Sequence, residues 1–486
     1  MIKGVSVINI VFIRHQALCF ALAALAWHFP AATSAQNYPT KPVRYLGDFL
    51  QEDTPMGHTI AEKILGNHAG GKPAKAGEIV VADVDFSMIH DARAGNALKM
   101  IEKLGAGQAN FALPHVKRTA LVLDHYSPPP NMEAANTHVA MREFAEKHGS
   151  PIYDVGDGIC HQVLPEGGHL TCGDLVVGTD THSTTYGAFN AFGTGVEGTD
   201  VSAVMMTGKL WFRVPETIRI ELNGPLQPGV WAKDVTLHML SQLGAEGANY
   251  QALEYVGSGV SAMAIDDRMT LSNHAAELGA KAALLEADEK TFAWLKAHNA
   301  AAPKPVKADA DATYARRIVI DTAKLPPQVA RQHHIDDVVG VNEVSGQKIQ
   351  VALIGTCTNG RLDDIRQAAA ILKGRKLAKG VRMIVTPASR AIYLAALREG
   401  LFEILTTAGA SVEAAGCGTC VNITGHYIAG DKQVVISSAN RNFKGRLGNP
   451  SSEIWIGSAA TVAASALTGF VTDARTVAGG DWRAAA

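Results

Sequence analysis

The chain has 486 residues, of which 47% are hydrophobic and 19% are charged, and its formal net charge is −2 at pH 7. This length is too great for a single hydrophobic core, so we expect about two to four domains. The nearly balanced charge excludes a broad basic field, and we expect no nucleic-acid partner. Six cysteines in so long a chain do not form a disulfide framework, and they are typical of reduced thiols inside a cell.

Residues 1–55 have the features of an N-terminal leader. An apolar run over residues 17–29 follows two basic residues and ends near the small residues 31–35, as before a secretory cleavage site. The run is too short to span a bilayer, so we expect no membrane partner. We predict that residues 1–55 are an appended leader or extension and that a cytoplasmic working protein begins near Met56.

The alternative is a true signal peptide on an exported protein. Residues 36–44 are similar to the mature start of periplasmic tricarboxylate-receptor proteins, which would make the chain a carboxylate receptor. Nothing after residue 44 continues that similarity. N-terminal sequencing of the protein from its own host separates the two hypotheses, because an exported protein would begin near Gln36.

From Met56 onward, short apolar runs alternate with helical periods, and this alternation predicts an α/β fold. One helix is expected to begin after Thr59, because Glu62 lies three residues on and completes a capping-box pattern. Another helix is expected over residues 362–373. Strands are predicted for residues 78–81, 119–123, 175–177, 218–222, 350–354, 381–385 and 434–436.

Two breaks divide this part of the chain. One lies near Val214, before an apolar strand, and the other is the stretch 300–312, which is rich in alanine, proline and lysine. We therefore predict three α/β subdomains, at residues 56–215, 216–325 and 326–476.

Polar clusters follow the predicted strands and glycine turns. Asp124 and His125 follow one strand, Asp180 and His182 follow another, and His161 follows a glycine turn. A carboxylate beside an imidazole fixes its tautomer and tunes its basicity. A single histidine of this kind is more often structural, but three in the same setting indicate proton chemistry.

Two further pairs carry weaker signals. Asn273 and Glu277 lie four residues apart in a predicted helix over residues 271–280, so they share one face, which is usually a solvated face. Arg441 and Arg446 follow the last predicted strand, and their guanidinium groups suit forked binding of carboxylates. Without the other clusters, both would be ordinary surface arginines.

Three cysteines lie in glycine-rich turns, Cys357 in GTCTNGR and Cys417 and Cys420 in GCGTC. Small residues let the backbone approach a bulky, soft metal centre. The CxxC pair alone fits equally a redox pair, half of a zinc site or two buried thiols. Together with the histidines and arginines, the three thiols favour an iron–sulfur centre that acts on a di- or tricarboxylate, and a structural zinc site remains the alternative.

Five segments together resemble the aconitase superfamily. They are DHYSPPPN at 124–131, VVGTDTHSTTYGAFNAFGTGVEGTD at 176–200, GTCTNGR at 355–361, GCGTC at 416–420 and SSANRNFKGR at 437–446. The resemblance is greatest to the large subunits of 3-isopropylmalate dehydratases and extends from about Met56 to near the C-terminus. It implies an α/β fold with a three-subdomain aconitase-type core and without the swivelling domain that ends single-chain aconitases.

The resemblance also implies a cofactor and a set of catalytic pairs. Cys357, Cys417 and Cys420 would hold a [4Fe-4S] cluster whose fourth iron has no protein ligand and acts as a Lewis acid on the substrate. The pairs expected to manage protons around the leaving hydroxyl are Asp124 with His125, Asp180 with His161, and Glu277 with His182.

Other residues are implied to bind the substrate or to steady the cluster. They are His90, Thr181, Asn273, Asn359, Asn440, Arg441 and Arg446. Two positions depart from the family pattern. Thr181 stands where many relatives have serine, which keeps the hydroxyl, and Thr419 stands where proline or alanine is common, which would alter the exposure of the cluster.

The absent swivelling domain implies a partner. In single-chain aconitases that domain supplies a catalytic serine and a further substrate arginine, so we expect a separate small subunit. We therefore expect the large subunit of an iron–sulfur hydro-lyase that dehydrates and isomerises a 2- or 3-hydroxy di- or tricarboxylic acid, in the first place 3-isopropylmalate. The alternatives are a related dehydratase for homoaconitate-, citramalate- or dimethylmalate-type acids, and a non-catalytic cluster-bearing binding protein.

Overall fold

The computed structural model of the chain describes residues 57–106, 111–421 and 428–477. The predicted leader, residues 1–55, lies outside the described residues. All described residues fall within one unit of the chain, Pro55–Ala486. The division of this unit into three subdomains therefore stays a prediction.

The described residues contain sixteen α-helices. They are α1 (Ile60–His68), α2 (Asp91–Gly105), α3 (Met132–His148), α4 (Cys160–Glu166), α5 (Gly198–Thr207), α6 (Ala232–Leu243), α7 (Ser258–Ala262), α8 (Ile265–His274), α9 (Glu289–Ala297), α10 (Thr356–Asn359), α11 (Leu362–Leu372), α12 (Arg390–Arg398), α13 (Leu401–Ala408), α14 (Gly418–Val421), α15 (Ala459–Thr468) and α16 (Ala474–Val477). Five short 3-10 helices lie at Val116–Arg118, Thr181–Phe189, Ala275–Leu278, Thr322–Lys324 and Val341–Val344. None of the helices within the described ranges has the length and apolar character needed to cross a membrane.

Eighteen strands accompany these helices. They are β1 (Ile79–Asp83), β2 (Phe86–His90), β3 (Thr119–Val122), β4 (Ile152–Tyr153), β5 (Leu175–Gly178), β6 (Phe192–Gly195), β7 (Lys209–Arg213), β8 (Thr217–Asn223), β9 (Ala252–Val256), β10 (Ala282–Leu285), β11 (Arg316–Asp321), β12 (Gln328–Ala330), β13 (Val338–Gly340), β14 (Val351–Ile354), β15 (Arg382–Val385), β16 (Ser411–Val412), β17 (Val434–Ser437) and β18 (Glu453–Gly457). Each predicted strand is found with its bounds within two residues of the expectation.

The strands form four sheets. β1 pairs with β7 in an antiparallel ribbon, and two parallel sheets have the orders β4-β3-β2-β5-β6 and β10-β9-β8-β11. The largest sheet has the order β13-β12-β18-β17-β14-β15-β16 and is parallel except where β12 meets β13 and β18. The predicted α/β class is therefore confirmed.

The central strands of the largest sheet are apolar along their whole length. β14 and β17 are buried at every residue, and α11 and α15 pack together beside them. A parallel strand covered on both faces gives a continuous apolar run in the sequence. This explains why both strands could be recognised from the sequence.

The order of the strands brings distant residues to shared edges. β14 lies beside β17, in parallel, so Cys357 and Arg441 both follow strands that end at one edge of the largest sheet. In the first parallel sheet β2 lies between β3 and β5, so His90, Asp124 and Asp180 also lie at the ends of neighbouring strands. The carboxyl ends of parallel strands are the usual place for a site in α/β proteins.

α1 begins as predicted. The Thr59 hydroxyl accepts a hydrogen bond from the Glu62 N–H at 3.3 Å, and the Glu62 carboxylate accepts one from the Thr59 N–H at 2.8 Å. These two bonds complete the capping box. The N–H of Ile60 donates to the Glu254 carboxylate at 2.9 Å, which fixes the start of α1 to β9.

The helix predicted over residues 271–280 begins and ends earlier than expected. α8 ends at His274, and a 3-10 helix follows over Ala275–Leu278. Gly279 then has a φ of 78°, a left-handed conformation that stops the helix. The prediction of one continuous helix is wrong, and Asn273 and Glu277 lie on separate segments.

Candidate active site

A cavity of about 260 Å³ gathers most of the predicted site residues. Eleven of the sixteen line it: His90, His125, His161, Asp180, Thr181, His182, Cys357, Cys417, Cys420, Arg441 and Arg446. The other five are buried and do not line it: Asp124, Asn273, Glu277, Asn359 and Asn440. The sequence therefore predicts both the wall of the cavity and part of the layer behind it.

Cys357 lies in a tight turn directly after β14. Thr356 has a φ of 72°, a left-handed conformation that non-glycine residues adopt only where the surroundings fix it. The buried guanidinium of Arg361 provides that support. Its Nη2 donates to the Cys357 carbonyl at 2.6 Å, and its Nη1 donates to the Thr358 carbonyl at 2.5 Å. Arg361 was not predicted as a site residue, although it ends the GTCTNGR motif.

Cys417 and Cys420 come from the segment between β16 and β17. The Cys417 N–H donates to the Asp124 carbonyl at 2.9 Å, which joins the cysteine segment to the loop after β3. The Cys420 N–H donates to the Cys417 carbonyl at 2.9 Å, so both thiols belong to one turn. The side chain of Thr419, where we expected an effect on cluster exposure, lies outside the described part of the structure.

The three thiols have different electrostatic surroundings. A hydrogen bond from Cys417 lowers the pKa of Cys420 well below its usual value against the effect of burial, and Arg446 adds to the shift with its Nη2 at 3.1 Å from the Cys420 sulfur. The same hydrogen bond and burial raise the pKa of Cys417, and burial raises the pKa of Cys357. A thiolate beside a guanidinium is a ready metal ligand.

Asp180 accepts hydrogen bonds from three histidine residues. Its Oδ1 lies 2.8 Å from His161 Nε2 and 2.8 Å from the backbone nitrogen of His182, whose ring Nδ1 is at 3.2 Å. Its Oδ2 lies 3.2 Å from His125 Nε2. Burial opposes the negative charge, but attraction to His161 and the hydrogen bonds from the histidines hold the pKa of Asp180 well below its usual value.

His125 lies between two carboxylates. Its Nδ1 donates to Asp124 Oδ1 at 2.7 Å, and its Nε2 faces Asp180. Burial opposes a charge on the ring, but the Asp124 charge and the hydrogen bonds to both carboxylates raise the pKa of His125 well above its usual value. Asp124 Oδ2 also accepts the Cys160 N–H at 2.9 Å, which orients the carboxylate. The two carboxylates therefore favour the charged, imidazolium form of His125.

Glu277 binds a histidine and an arginine. Its Oε1 accepts a hydrogen bond from His182 Nε2 at 2.7 Å, and its Oε2 accepts one from Arg441 Nε at 2.9 Å. Burial opposes the charge, but these partners lower the pKa of Glu277 to about 2. At His182 burial opposes the positive charge of the ring, but hydrogen bonds to Asp180 and Glu277 outweigh this effect and raise its pKa. The three expected pairs are thus in contact, and their roles in proton transfer stay predictions.

His90 stacks on His125, with the ring centroids 4.0 Å apart. Its Nε2 donates to the Thr179 carbonyl at 3.0 Å, and its Nδ1 is buried without a partner among the described residues. Burial and the charge of His125 lower the pKa of His90 to about 4, so the ring is neutral and Nδ1 is an acceptor. An acceptor suits the hydroxyl of a substrate, and the expected substrate contact at His90 stays a prediction.

The three asparagines lie behind the cavity. Asn440 Nδ2 donates to Asn273 Oδ1 at 2.7 Å, and Asn440 Oδ1 lies 3.8 Å from the Cys357 sulfur. Asn359 Nδ2 donates to Asp364 at 2.9 Å. These contacts favour the second role that we expected, support of the cysteine turn, over direct contact with the substrate.

The sequence pattern does not reveal Asp91, which holds the loop after β3. Its buried carboxylate accepts hydrogen bonds from the N–H groups of His125 at 3.1 Å and Tyr126 at 2.9 Å, and from His138 Nε2 at 3.0 Å. The signal that the sequence offers is its position next to the predicted site residue His90. Asp91 therefore positions His125 through the backbone.

The donor atoms suit a soft metal centre. Ligand atoms of His161, His182 and Cys357 lie within 4.8 Å of one another, and all three cysteines line the same cavity. Both ring nitrogens of His182 are hydrogen-bonded to carboxylates, so the sulfur atoms are the better ligands. Three thiols on two turns fit an iron–sulfur centre.

Comparisons with known proteins are consistent with one another. The sequence model described as Aconitase family (aconitate hydratase) matches residues 62–348 and 342–469. The chain is 44% identical over 422 residues to 3-isopropylmalate dehydratase large subunit 1 of Methanopyrus kandleri, with 86% of this chain and 99% of the relative covered. It is 45% identical over 424 residues to the protein of the same name from Thermotoga maritima, with the same coverage. It is also 44% identical over 402 residues to the probable methanogen homoaconitase large subunit of Methanosarcina mazei, with 82% of this chain and 100% of the relative covered.

The matched ranges contain every predicted site residue, from His90 to Arg446. They also contain the two cysteine turns and the histidine network that the structure brings to one cavity. The extent of the match and the identity to the relatives agree with the resemblance seen in the motifs. The chain belongs to the aconitase family.

Proposed function

We propose that the chain is the large subunit of an iron–sulfur hydro-lyase that dehydrates and isomerises 3-isopropylmalate. The observation that carries this proposal is the meeting of three thiols and the histidine network around Asp180 in one cavity. The names of the relatives from Methanopyrus kandleri and Thermotoga maritima support the choice of substrate.

Cys357, Cys417 and Cys420 would hold a [4Fe-4S] cluster. When bound, such a cluster offers an iron without a protein ligand, which polarises the hydroxyl and a carboxylate of the substrate. Arg446 stabilises the thiolate of Cys420 by donating to its sulfur. A zinc ion on the same thiols is the chemical rival of the cluster.

Arg441 and Arg446 would bind the carboxylates of the substrate. Both line the cavity. The Nε of Arg441 binds Glu277, and the described residues supply no acceptor for its terminal nitrogens. A substrate carboxylate at this place would complete a forked ion pair.

The histidine network would manage the proton of the leaving hydroxyl. Its two carboxylate partners favour the charged form of His125, which lines the cavity, so this ring can donate a proton as the hydroxyl leaves as water. Asp124 and Asp180 hold the charged ring in place, with one carboxylate at each ring nitrogen. Elimination also removes a proton from the neighbouring carbon, and by resemblance to the family a serine of a separate small subunit would accept it.

Co-purification with a small subunit, sought among the reading frames that neighbour the gene for this chain, tests the proposal. The complex, reconstituted anaerobically with iron and sulfide, should convert 3-isopropylmalate to the unsaturated acid, which is followed by the absorbance of its double bond. The cluster-loaded chain alone should show little or no turnover. Robust turnover by the chain alone would refute the need for a partner, and stoichiometric zinc without iron would refute the cluster.

A second candidate substrate is a homoaconitate-type acid. The chain is as similar to the homoaconitase large subunit of Methanosarcina mazei as it is to the relative from Methanopyrus kandleri. Measurement of kcat/KM for homoaconitate-, citramalate- and dimethylmalate-type acids with the same complex separates the candidates. A non-catalytic binding protein would turn over none of these acids.

A further inference from the structure

Lys233 is a lysine buried behind the cavity, in the first turn of α6. Its side chain is 0% exposed, and its Nζ donates to the Ala439 carbonyl at 2.9 Å. An ammonium group without access to water is costly unless charges or hydrogen bonds compensate for the lost hydration. Lys233 is therefore not an ordinary solvated charge, and the proposed function does not yet use it.

His274, the last residue of α8, binds the next carbonyl along the same turn. Its Nε2 lies 3.2 Å from the Asn440 carbonyl oxygen and its Nδ1 lies 2.8 Å from the Thr236 hydroxyl. Burial and the charge of Lys233 lower the pKa of His274 well below its usual value, so the ring is neutral. Because a carbonyl can only accept, the single ring proton is on Nε2 and points at Asn440.

The two carbonyls flank Asn440 in the turn after β17. Holding both of them fixes the peptide planes on either side of this residue. Its side-chain Oδ1 lies 3.8 Å from the Cys357 sulfur, and the next residue, Arg441, donates to Glu277. The direction in which the Arg441 side chain leaves the backbone therefore depends on these two planes.

We propose that Lys233 and His274 are positioning residues for substrate binding, which hold the carbonyls of Ala439 and Asn440 and so direct the Arg441 guanidinium into the cavity. This inference rests on the proposed function and adds two residues to its site. The acidic groups of the site stabilise the charged form of Lys233, which is the form that donates most strongly to the Ala439 carbonyl. Burial lowers the pKa of Lys233 to about 7, while the acidic groups of the site, Cys357 and Glu277 foremost, favour its charged form.

Four variants of the cluster-loaded complex test the inference. Lys233→Met keeps most of the length of the side chain and removes the donor and the charge. His274→Leu removes the second donor, whereas His274→Gln keeps an amide donor. Arg268→Met is the matched control, because Arg268 is also a fully buried cation but binds Asp288 and not the 439–441 turn.

Two measurements report on position without requiring turnover. Hydrogen–deuterium exchange of peptides covering residues 438–446 reports on the turn and needs neither cluster nor substrate. Equilibrium binding of 2-isopropylsuccinate, the substrate without its hydroxyl, reports on carboxylate binding. Steady-state kinetics add the division between KM and kcat.

Lys233→Met and His274→Leu should speed exchange in this segment alone and weaken binding of the analogue by about tenfold or more. They should raise KM more than they lower kcat, because binding of the carboxylate is lost. His274→Gln should restore both properties towards the wild type. Arg268→Met should lower stability and leave the exchange of the segment and the binding of the analogue unchanged.

Unchanged exchange in the segment would overturn the inference, and so would faster exchange with unchanged binding of the analogue. A wild-type complex that binds no analogue refutes the proposed function instead. In that case the exchange data alone decide whether Lys233 and His274 order the 439–441 turn.

Discussion

The guanidinium of Arg446 donates a hydrogen bond to the sulfur of Cys420 at 3.1 Å and another to the carbonyl of the same residue at 3.0 Å. One side chain therefore fixes both the backbone and the thiolate of one predicted ligand. The ring of Phe443 lies 5.3 Å from the guanidinium carbon and restricts its orientation. The acidity of Cys420 thus depends on Arg446 as well as on Cys417.

Arg446→Gln should raise the pKa of the Cys420 thiol, because both the charge and the hydrogen bond of Arg446 favour the thiolate. We expect several-fold slower alkylation of Cys420 in the cluster-free chain near neutral pH, and slower assembly of the cluster. Timed iodoacetamide labelling with mass spectrometry measures the rate. Arg366→Gln is the control, since Arg366 binds Glu399 away from the cavity. Equal rates in the two variants would contradict the prediction.

Replacement of Cys357, Cys417 or Cys420 by serine should each abolish the broad brown absorbance of a reconstituted cluster, because serine is a poor ligand for iron in such a centre. Cys172→Ser should keep the absorbance, as Cys172 is buried and free but does not line the cavity. Iron, sulfide and zinc are determined after anaerobic reconstitution. Full iron content in any of the three cavity variants would show that the thiol concerned is not a ligand.

Asp124→Asn should lower the pKa of His125, since burial is overcome chiefly by the Asp124 charge. The pKa of His125 in the folded chain lies above its ordinary value of 6.5. Its charged form therefore stabilises the fold to the full extent at pH values below 6.5. This stability is lost as the pH rises through the raised pKa, where wild type and variant should converge. NMR titration of the ring carbons measures the shift, with Asp83→Asn as a surface control. An unshifted His125 would rule out this account.

Glu277→Gln should destabilise the chain by about 3 kcal/mol near neutral pH, from the fall of the Glu277 pKa from 4.5 to about 2. A carboxyl group whose pKa is lower in the folded chain than in the unfolded chain stabilises the fold when it is ionised. The stabilisation by Glu277 is therefore complete above pH 4.5 and is lost as the pH falls towards about 2. Urea unfolding at several pH values should therefore show a difference that shrinks below 4.5. Glu403→Gln, on the exposed face of α13, should show little difference at any pH.

Asp91→Ala should destabilise the chain by about 3 kcal/mol or more, because it leaves the His125 and Tyr126 N–H groups and the buried His138 without their acceptor. Asp91→Asn keeps an acceptor oxygen and should cost less. Activity of the complex should follow the same order, since the loop carries His125. If both variants kept full activity, Asp91 would not position His125.

Much of the cavity wall could be predicted because its residues follow strands. β14 and β17 are covered on both faces, so their apolar runs are visible in the sequence, and the polar residues after them stand out. The sequence reveals Cys357 and Arg441 in this way, and Asp180 follows β5, which is also buried at every residue. Their roles came from the resemblance to the family, because residue type and spacing alone left redox, zinc and structural alternatives open.

The supporting residues could not be predicted. Lys233 precedes Asp234 at the start of a helix and has the pattern of a solvated charge, and only the fold shows that the Ala439 carbonyl is its acceptor. Asp91 and His138 are 47 residues apart, and one sequence does not show that two such positions meet. Contacts between elements that are distant in the chain depend on tertiary packing, which leaves no periodic pattern in the sequence.

The two cysteine turns are about sixty residues apart in the chain. A cofactor bound to both would be a cross-link that closes this loop in the unfolded chain. A disulfide closing a loop of this size removes chain entropy equivalent to about 4 kcal/mol. Loss of the cofactor would therefore lower the free energy of unfolding of the protein as well as inactivate it.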